Sequence, residues 1–504
     1  MSATSGTVRR GFSRSQLLIL CTVQLCTLLF GMTVTVANVV LPQIKGALST
    51  TQDQVAWVVT FNLVATAIGT PLTGWLATRF GWRVLMTGAV TGFVIATFLC
   101  GLAPSLLTLV LFRIAQGFFG APLMPLGQAI LLASFEKHHH PLVLMLWGIG
   151  GVIGPVLGPI AGGFVAESLG WRWVFYMIVP FGILAMFVAW ISLGDQERSS
   201  ERRFDWLGFS ALAIAVACLQ LIVNRGQRLD WFDSTEIVIE SLLAATAFYI
   251  FLVHSATASR PFFDPGLIRD RNFALGIVLA LGMGCMSYTP IVLFPPLLQE
   301  LRGYPDSLVG LLLAARGLGN WLSFVIVVPM TRLYPRTTLA LGLIAQGVAG
   351  LAMGRLSINL SNADVFWTNL LQGFGFGLAY TPMAVLIFAT LEPRLITQGS
   401  ALFNMLRNLG SSVFISLSVV VLIHTSAQTY DRFRDGIAPY SERFSLPITG
   451  DWQLSNFSGL ANLSHEMQRQ ADMVGYTNAF YLFAAAAFAT LPFVLWLRPP
   501  RVGS

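Results

Sequence analysis

Fourteen predominantly apolar runs, divided by short polar or basic turns, follow one another along the chain: 17–41, 55–77, 84–103, 105–133, 141–166, 173–193, 206–223, 237–253, 272–296, 307–330, 338–354, 363–389, 399–423 and 477–497. Crossing the hydrocarbon core of a bilayer takes about 20 residues of helix. A helix also satisfies its own backbone hydrogen bonds, as the dry membrane interior demands. The spacing therefore predicts fourteen transmembrane helices. Arg9, Arg10 and Arg14 ahead of the first run give it the look of a signal peptide. That run is longer than the roughly 7–15 apolar residues of a signal core and has no clear small-residue cleavage site, so it reads as span 1.

Composition agrees. Of 504 residues, 55% are hydrophobic and 11% charged, and the mean hydropathy is +0.71. A soluble domain carries about 25% charge, so lipid solvates most of this chain. The net charge of +7 would suit nucleic acid only if it were gathered on one surface. Instead the basic residues sort by membrane side. With the N-terminus inside, the cytoplasmic turns hold seventeen, among them Arg79, Arg83, Lys137, Arg202, Arg269, Arg332 and Arg394; the short outer turns hold six. By the positive-inside rule both termini are cytoplasmic. The longer outer segment 424–476 carries four more arginines, but long loops cross regardless of charge. Cys21, Cys26, Cys100, Cys218 and Cys285 lie in apolar runs without metal-ligand spacing and read as small buried residues.

The chain repeats itself. Gln116-Gly117 in span 4 returns as Gln372-Gly373 in span 12, an offset of 256, and Arg79…Arg83 returns as Arg332…Arg336, an offset of 253. Spans 1 to 5 shifted by about 255 residues fall on spans 9 to 13, and span 6 matches span 14 once the long outer segment is allowed for. The predicted organisation is a six-helix half over 1–193, two inserted helices over 194–271, and a second six-helix half over 272–504 that includes an outer loop over 424–476. Two repeated halves with a site near the midplane is a transporter plan.

Three stretches carry local physics. Span 5 places Gly150, Gly154, Gly158 and Gly162 four residues apart, a smooth stripe that admits a neighbouring backbone. Pro155 and Pro159 within it remove two backbone donors and should bend the helix. The turn Gly74-Trp-Leu-Ala-Thr-Arg79-Phe-Gly81-Trp-Arg83 combines glycines suited to a tight turn with arginines facing the inner leaflet. Span 4 sets Arg113 and Gln116 three apart on one helical face inside an apolar run, where a charge must face a cavity or a partner.

These stretches resemble the signatures of the major facilitator superfamily: the turn between spans 2 and 3, the Arg113-Ile-Ala-Gln116-Gly117 motif of span 4, and the span 5 stripe associated with antiporters. WRWVFYMIVPFG at 171–182, FDWLGF at 204–209, Pro261-Phe-Phe-Asp264, Ala315-Arg316-Gly317 and Gln398 through Gly410 are similar to the 14-span drug:proton antiporter branch, the EmrB/QacA-like exporters. The resemblance implies an all-α major facilitator fold with two pseudo-symmetric six-helix halves plus two extra helices. It implies secondary active, proton-driven efflux of small amphipathic compounds across the inner membrane by alternating access, without a cofactor. Resembling exporters of two-membrane bacteria carry a similar outer insertion and work with a periplasmic adaptor protein and an outer-membrane channel. The same partners are expected here, with 424–476 as their surface, besides the substrate and membrane lipid. Where the branch has an aspartate in span 1 this chain has Thr33, and where the superfamily turn has an aspartate it has Thr78.

Arg113, Arg316 and Arg407 are the charges deepest in the spans, and no carboxylate reads as comparably deep. Arginine stays protonated and grips carboxylates with charge-assisted hydrogen bonds, so the expected cavity favours anionic or weak-acid amphipaths. Gln116, Gln372, Asn404, Phe119 and Phe376 complete the expected lining, and the alternative is that the arginines are structural. Glu167 and Glu300, near outer span ends, are candidate proton carriers if partly buried; otherwise the weak-acid substrate carries the proton itself. His138-His139-His140, beside Glu136 and Lys137, reads as a solvated loop rather than a metal site. An enzyme would be expected to show a catalytic cluster, such as His with Asp or Glu at a membrane face; apart from the His triplet the sequence shows none, and no phosphate-binding loop or HExxH. The second transporter reading is a dedicated exporter of one anionic metabolite or siderophore.

Overall fold

The computed structural model describes residues 12–194, 204–435 and 457–498. Among these, fourteen helices are long and apolar enough to cross a membrane: Arg14–Ala37, Gln54–Phe80, Trp82–Leu102, Leu106–Ser134, Lys137–Leu169, Trp171–Ser192, Trp206–Leu229, Thr235–Thr257, Arg271–Leu301, Leu308–Leu333, Pro335–Met353, Asn362–Phe388, Pro393–Asp435 and Phe457–Trp496. They are spans 1 to 14 below.

Local chemistry sets the ends. Ser13, Thr51 and Ser105 each open a span with a capping box: their hydroxyls accept from the backbone N–H of Gln16, Gln54 and Thr108, and their own backbone N–H groups donate to those side chains. Gly81 (φ 81°) and Gly170 (φ 91°) each stand in a Gly-Trp-Arg triplet, ending one span and starting the next in a conformation glycine alone adopts without strain. Span 4 is interrupted at Ala121-Pro122, between helices Leu106–Gly120 and Leu123–Ser134. Pro122 cannot donate to the ladder.

The segment 424–476, read from sequence as an outer loop with a helix-like stretch over 459–474, is helical wherever it is described. One helix runs unbroken over Ile396–Asp435 and the next over Phe457–Trp496, forty residues each; residues 436–456 lie outside the described ones. The two are joined beyond the predicted spans. Ser426 meets Asp472, Gln468 donates to Asp472 at 2.8 Å and to Ser426 at 3.2 Å, and Tyr430 bonds Ser464 at 2.9 Å. Polar residues that look like loop material are here the glue between helices.

The chain forms two compact units. The first comprises Met1–Leu221, Ser241–Ala274 and Ile387–Met405; the second comprises Ile222–Glu240, Leu275–Leu386 and Leu406–Ser504. Within the first, Ile387–Met405 is held by polar and aromatic contacts. Ser400 donates to the Pro125 carbonyl at 2.9 Å and to Gln128 at 2.7 Å, and Phe388 packs edge-on against Phe273 and Phe403.

The repeat seen in the sequence recurs as packing inside each unit. In the first, a Cβ on Gly154 of span 5 would run into the Leu28 carbonyl of span 1; in the second, one on Gly410 of span 13 would run into the Leu281 carbonyl of span 9. Likewise a Cβ on Gly117 would meet the Asn62 carbonyl, and one on Gly373 the Arg316 carbonyl. Each pair is displaced by 253 to 256 residues. The same backbone-to-backbone crossings are built twice.

Candidate functional site

Three guanidinium groups lie inside the spans: Arg113 is 0% exposed, Arg316 3% and Arg407 8%. A buried cation is costly unless hydrogen-bonded or paired. Among the described residues no carboxylate pairs with any of the three, so carbonyls, amides and rings must hold them.

In the first unit, Arg113 donates from Nε to the Val58 carbonyl of span 2 at 3.0 Å and from Nη1 to the side-chain oxygen of Gln116. Gln116 passes its amide hydrogen to Thr97 of span 3 at 2.7 Å, and Asn62 donates to the Arg113 carbonyl at 2.8 Å. The group ties spans 2, 3 and 4 together and leaves only Nη2 of the guanidinium without a partner.

The second unit differs. Arg316 of span 10 donates from Nη2 to the Ser287 carbonyl of span 9, while its Nε and Nη1 have no partner. Gln372 donates to the Met286 carbonyl and to Gln346, each at 3.2 Å, and its own side-chain oxygen has none. Phe376 and Tyr380 stack at 5.7 Å with 16° between planes. The Arg316 guanidinium stands 5.4 Å from the Phe376 centroid and that of Arg407 5.8 Å from the Tyr380 centroid, both within cation–π range. Arg407 also donates to the Tyr380 hydroxyl at 3.1 Å. Two cations and two stacked rings thus meet on spans 9, 10, 12 and 13. Tyr380, Gln346 and Ser287 are not apparent in the sequence. Tyr380 alone carries a signal, one helical turn after Phe376 and so on its face.

The remaining expected residues lie elsewhere. Asn404 is buried in the first unit, donating to Gln128 at 2.8 Å. Phe119 is exposed, its ring over Gly92 of span 3 rather than beside Gln116. In the turn after span 2, Gly74 lies against Gln398, Arg79 is exposed, and Arg83 donates to the Trp190 carbonyl at 2.9 Å with its guanidinium over that ring. His138 faces Glu136 and His140 the Phe135 carbonyl. The span 5 stripe lies on span 1: Gly150 opposite Gln24, Gly154 opposite Leu28 and Gly31, Gly158 opposite Met32 and Thr35, Gly162 opposite Val36, with Pro155 against Gly31. The Pro159 side chain lies outside the described ones.

Glu167 and Glu300 are both exposed, so the partial burial that would suit them to hold a proton is missing. Among the described residues, Glu240 lies six residues into span 8, half-buried, facing Arg225 at 3.6 Å with Glu236 on the same arginine at 2.6 Å. The sequence reading names no carboxylate as deep as the three arginines, although Glu240 stands within the run 237–253. Thr33 and Thr78 turn their hydroxyls back onto the Leu29 and Trp75 carbonyls of their own helices at 2.8 Å.

Fourteen apolar helices holding buried arginines in each of two repeated sets define a multi-pass membrane protein with a cationic interior. The chain belongs to the Major Facilitator Superfamily, whose profile matches residues 23–415. It is 32% identical over 471 residues to the fatty acid resistance protein FarB of Neisseria gonorrhoeae, covering 92% of each chain. It is 30% identical to the multidrug export protein EmrB of Haemophilus influenzae over 93% of each, and 30% identical to that of Escherichia coli K12 over 92% of each. Among solved structures it is similar to the human organic anion transporter MFSD10 (TM-score 0.62, 12% identity, 95% and 99% covered) and to the proton:xylose symporter XylE (TM-score 0.59, 13% identity, 95% and 96% covered). At such identities these two establish the fold.

Proposed function

We propose that this chain exports small amphipathic compounds, organic acids among them, across the bacterial inner membrane by alternating access, with both termini cytoplasmic and the proton gradient as energy source. One observation carries the acid preference: three arginines are buried in apolar helices, and no carboxylate among the described residues neutralises them. A mobile anion is the natural complement of such an interior. The names of the relatives point the same way, one conferring fatty acid resistance and the others exporting multiple drugs. Gly-to-backbone crossings built twice at a 255-residue offset support two halves working as one machine.

Transport in proteoliposomes with an imposed pH gradient tests this. The purified protein should move an aromatic acid against its gradient, and faster than a lipophilic cation. Movement of the cation alone would overturn the acid preference, and no response to the gradient would overturn the proton drive.

We further propose that a periplasmic adaptor, and through it an outer-membrane channel, docks on the paired helices of 424–435 and 457–476. A forty-residue helix is about 60 Å long, against a hydrocarbon core of about 30 Å, so each protrudes by about half its length. Deleting 436–466 removes Ser464 and the first turns of the last helix. Membrane insertion should persist while resistance in cells is lost. Full resistance in the deleted form would remove the adaptor.

A further inference from the structure

The repeat places an arginine and a glutamine in one layer of each unit, and the two pairs end differently. In the first unit they satisfy each other: Arg113 donates to Gln116, which donates on to Thr97. In the second, the arginine has changed helix. Arg316 occupies the place of Asn62, at an offset of 254, and Asn369 occupies the place of Arg113, returning its amide hydrogen to the Val365 carbonyl at 2.9 Å. The exchange parts arginine from glutamine. Both hydrogens of the Gln372 amide are taken, by Met286 and Gln346, which fixes its orientation and leaves its oxygen unmet. Arg316 keeps two nitrogens, Nε and Nη1, unmet. The two side chains are anchored on the carbonyls of consecutive residues of span 9, Met286 and Ser287. Gln372 is wholly buried and Arg316 nearly so. A buried polar group left unmet is costly, and these three unmet atoms, two donors and one acceptor, are groups that a ligand reaching them would satisfy.

That pattern specifies a ligand. The guanidinium nitrogens call for an anionic acceptor such as a carboxylate. The glutamine oxygen can only accept, so the ligand must also bring a hydrogen. A plain carboxylate has none; a carboxylate with a hydroxyl on the adjoining carbon has both. The Phe376–Tyr380 stack beside Arg316 offers apolar surface for the rest of the molecule. We propose that Arg316 and Gln372 together form a head-group site for amphipathic hydroxy-carboxylates, Arg316 holding the carboxylate and Gln372 taking the hydroxyl hydrogen. The proposal rests on the acid-export reading and narrows it.

Calorimetric binding of 2-hydroxydecanoate, 2-methoxydecanoate and decanoate to the purified full chain tests it, with tetraphenylphosphonium as the cationic comparison. One gained hydrogen bond predicts about tenfold tighter binding of the hydroxy acid than of decanoate. The methoxy acid, which keeps the oxygen and lacks the hydrogen, should lose that advantage on the unaltered protein. Gln372→Met should abolish the difference between hydroxy acid and decanoate. Equal binding of all three decanoates would overturn the inference and leave acid export standing. Binding of the cation with none of the acids would overturn acid export itself.

Discussion

Replacing Gly154 with alanine is expected to abolish export and to reduce the amount of folded protein in the membrane, whereas Gly150→Ala should retain most of both. The two glycines belong to one stripe, but they face different atoms. A Cβ on Gly154 would lie 2.8 Å from the Leu28 carbonyl oxygen and 3.1 Å from the Gly31 Cα, both backbone of span 1. Neither atom can step aside without moving the helix, so spans 1 and 5 must separate. Between lipid-solvated helices, close packing is itself the attraction. Overpacking a tight core costs about 1–3 kcal/mol, and here the separation spreads to Gly158, where a Cβ would stand 2.5 Å from the Thr35 hydroxyl and 2.8 Å from the Met32 carbonyl. At Gly150 the nearest atoms are the amide end of Gln24, at 2.8 Å, which can rotate away. Membrane expression and transport of the paired variants check this order. Equal loss in both would show that the stripe does not act through span 1 backbone contact. The repeat adds a second arm: Gly410→Ala, against the Leu281 carbonyl of span 9, should behave like Gly154→Ala.

Arg316→Gln is expected to cut acid export by about ten- to hundredfold, the range set by about 1.5–3 kcal/mol for a hydrogen bond to a charged group. Neutral dye export and the thermal midpoint should stay close to those of the parent protein. The charge removed has no carboxylate partner among the described residues, so its loss strands no opposite charge. Replacing buried charge by neutral groups of similar size is often neutral or stabilising. Arg113→Gln should act differently. Its guanidinium already serves Val58 and Gln116 and joins spans 2, 3 and 4, so acid and dye export should fall together, with a lower thermal midpoint. Export assays with one acid and one neutral dye, alongside melting curves, separate the two arginines. A selective loss of acid export in Arg113→Gln, with none in Arg316→Gln, would reverse the assignment.

Much of the fold is legible in the sequence because the bilayer is a simple solvent. About 20 apolar residues per crossing and a 255-residue offset yield fourteen spans and their repetition without any contact being known. The glycine stripe was likewise readable as a close-packing face, since a four-residue period has one meaning on a helix. Residues 424–476 read less well. Only 459–474 reads as helix-like there, yet the helices persist to Asp435 and from Phe457, with Ser426, Tyr430, Ser464, Gln468 and Asp472 satisfying one another across the pair. Partners of that kind are distant in sequence and leave no local period.

The sequence alone determined that Arg113, Arg316 and Arg407 are buried cations, since an apolar run of spanning length leaves them nowhere else to go. It also determined that Gln116 and Gln372 are counterparts. Only the tertiary structure decided that one arginine–glutamine pair closes on itself and the other stays apart, that Asn404 and Phe119 belong to other surroundings, and that Tyr380 joins the rings beside Arg316 and Arg407. Burial follows from the solvent, which composition reveals. Hydrogen-bond partners follow from which helix crosses which, and at what height, and that depends on residues scattered over many spans at once.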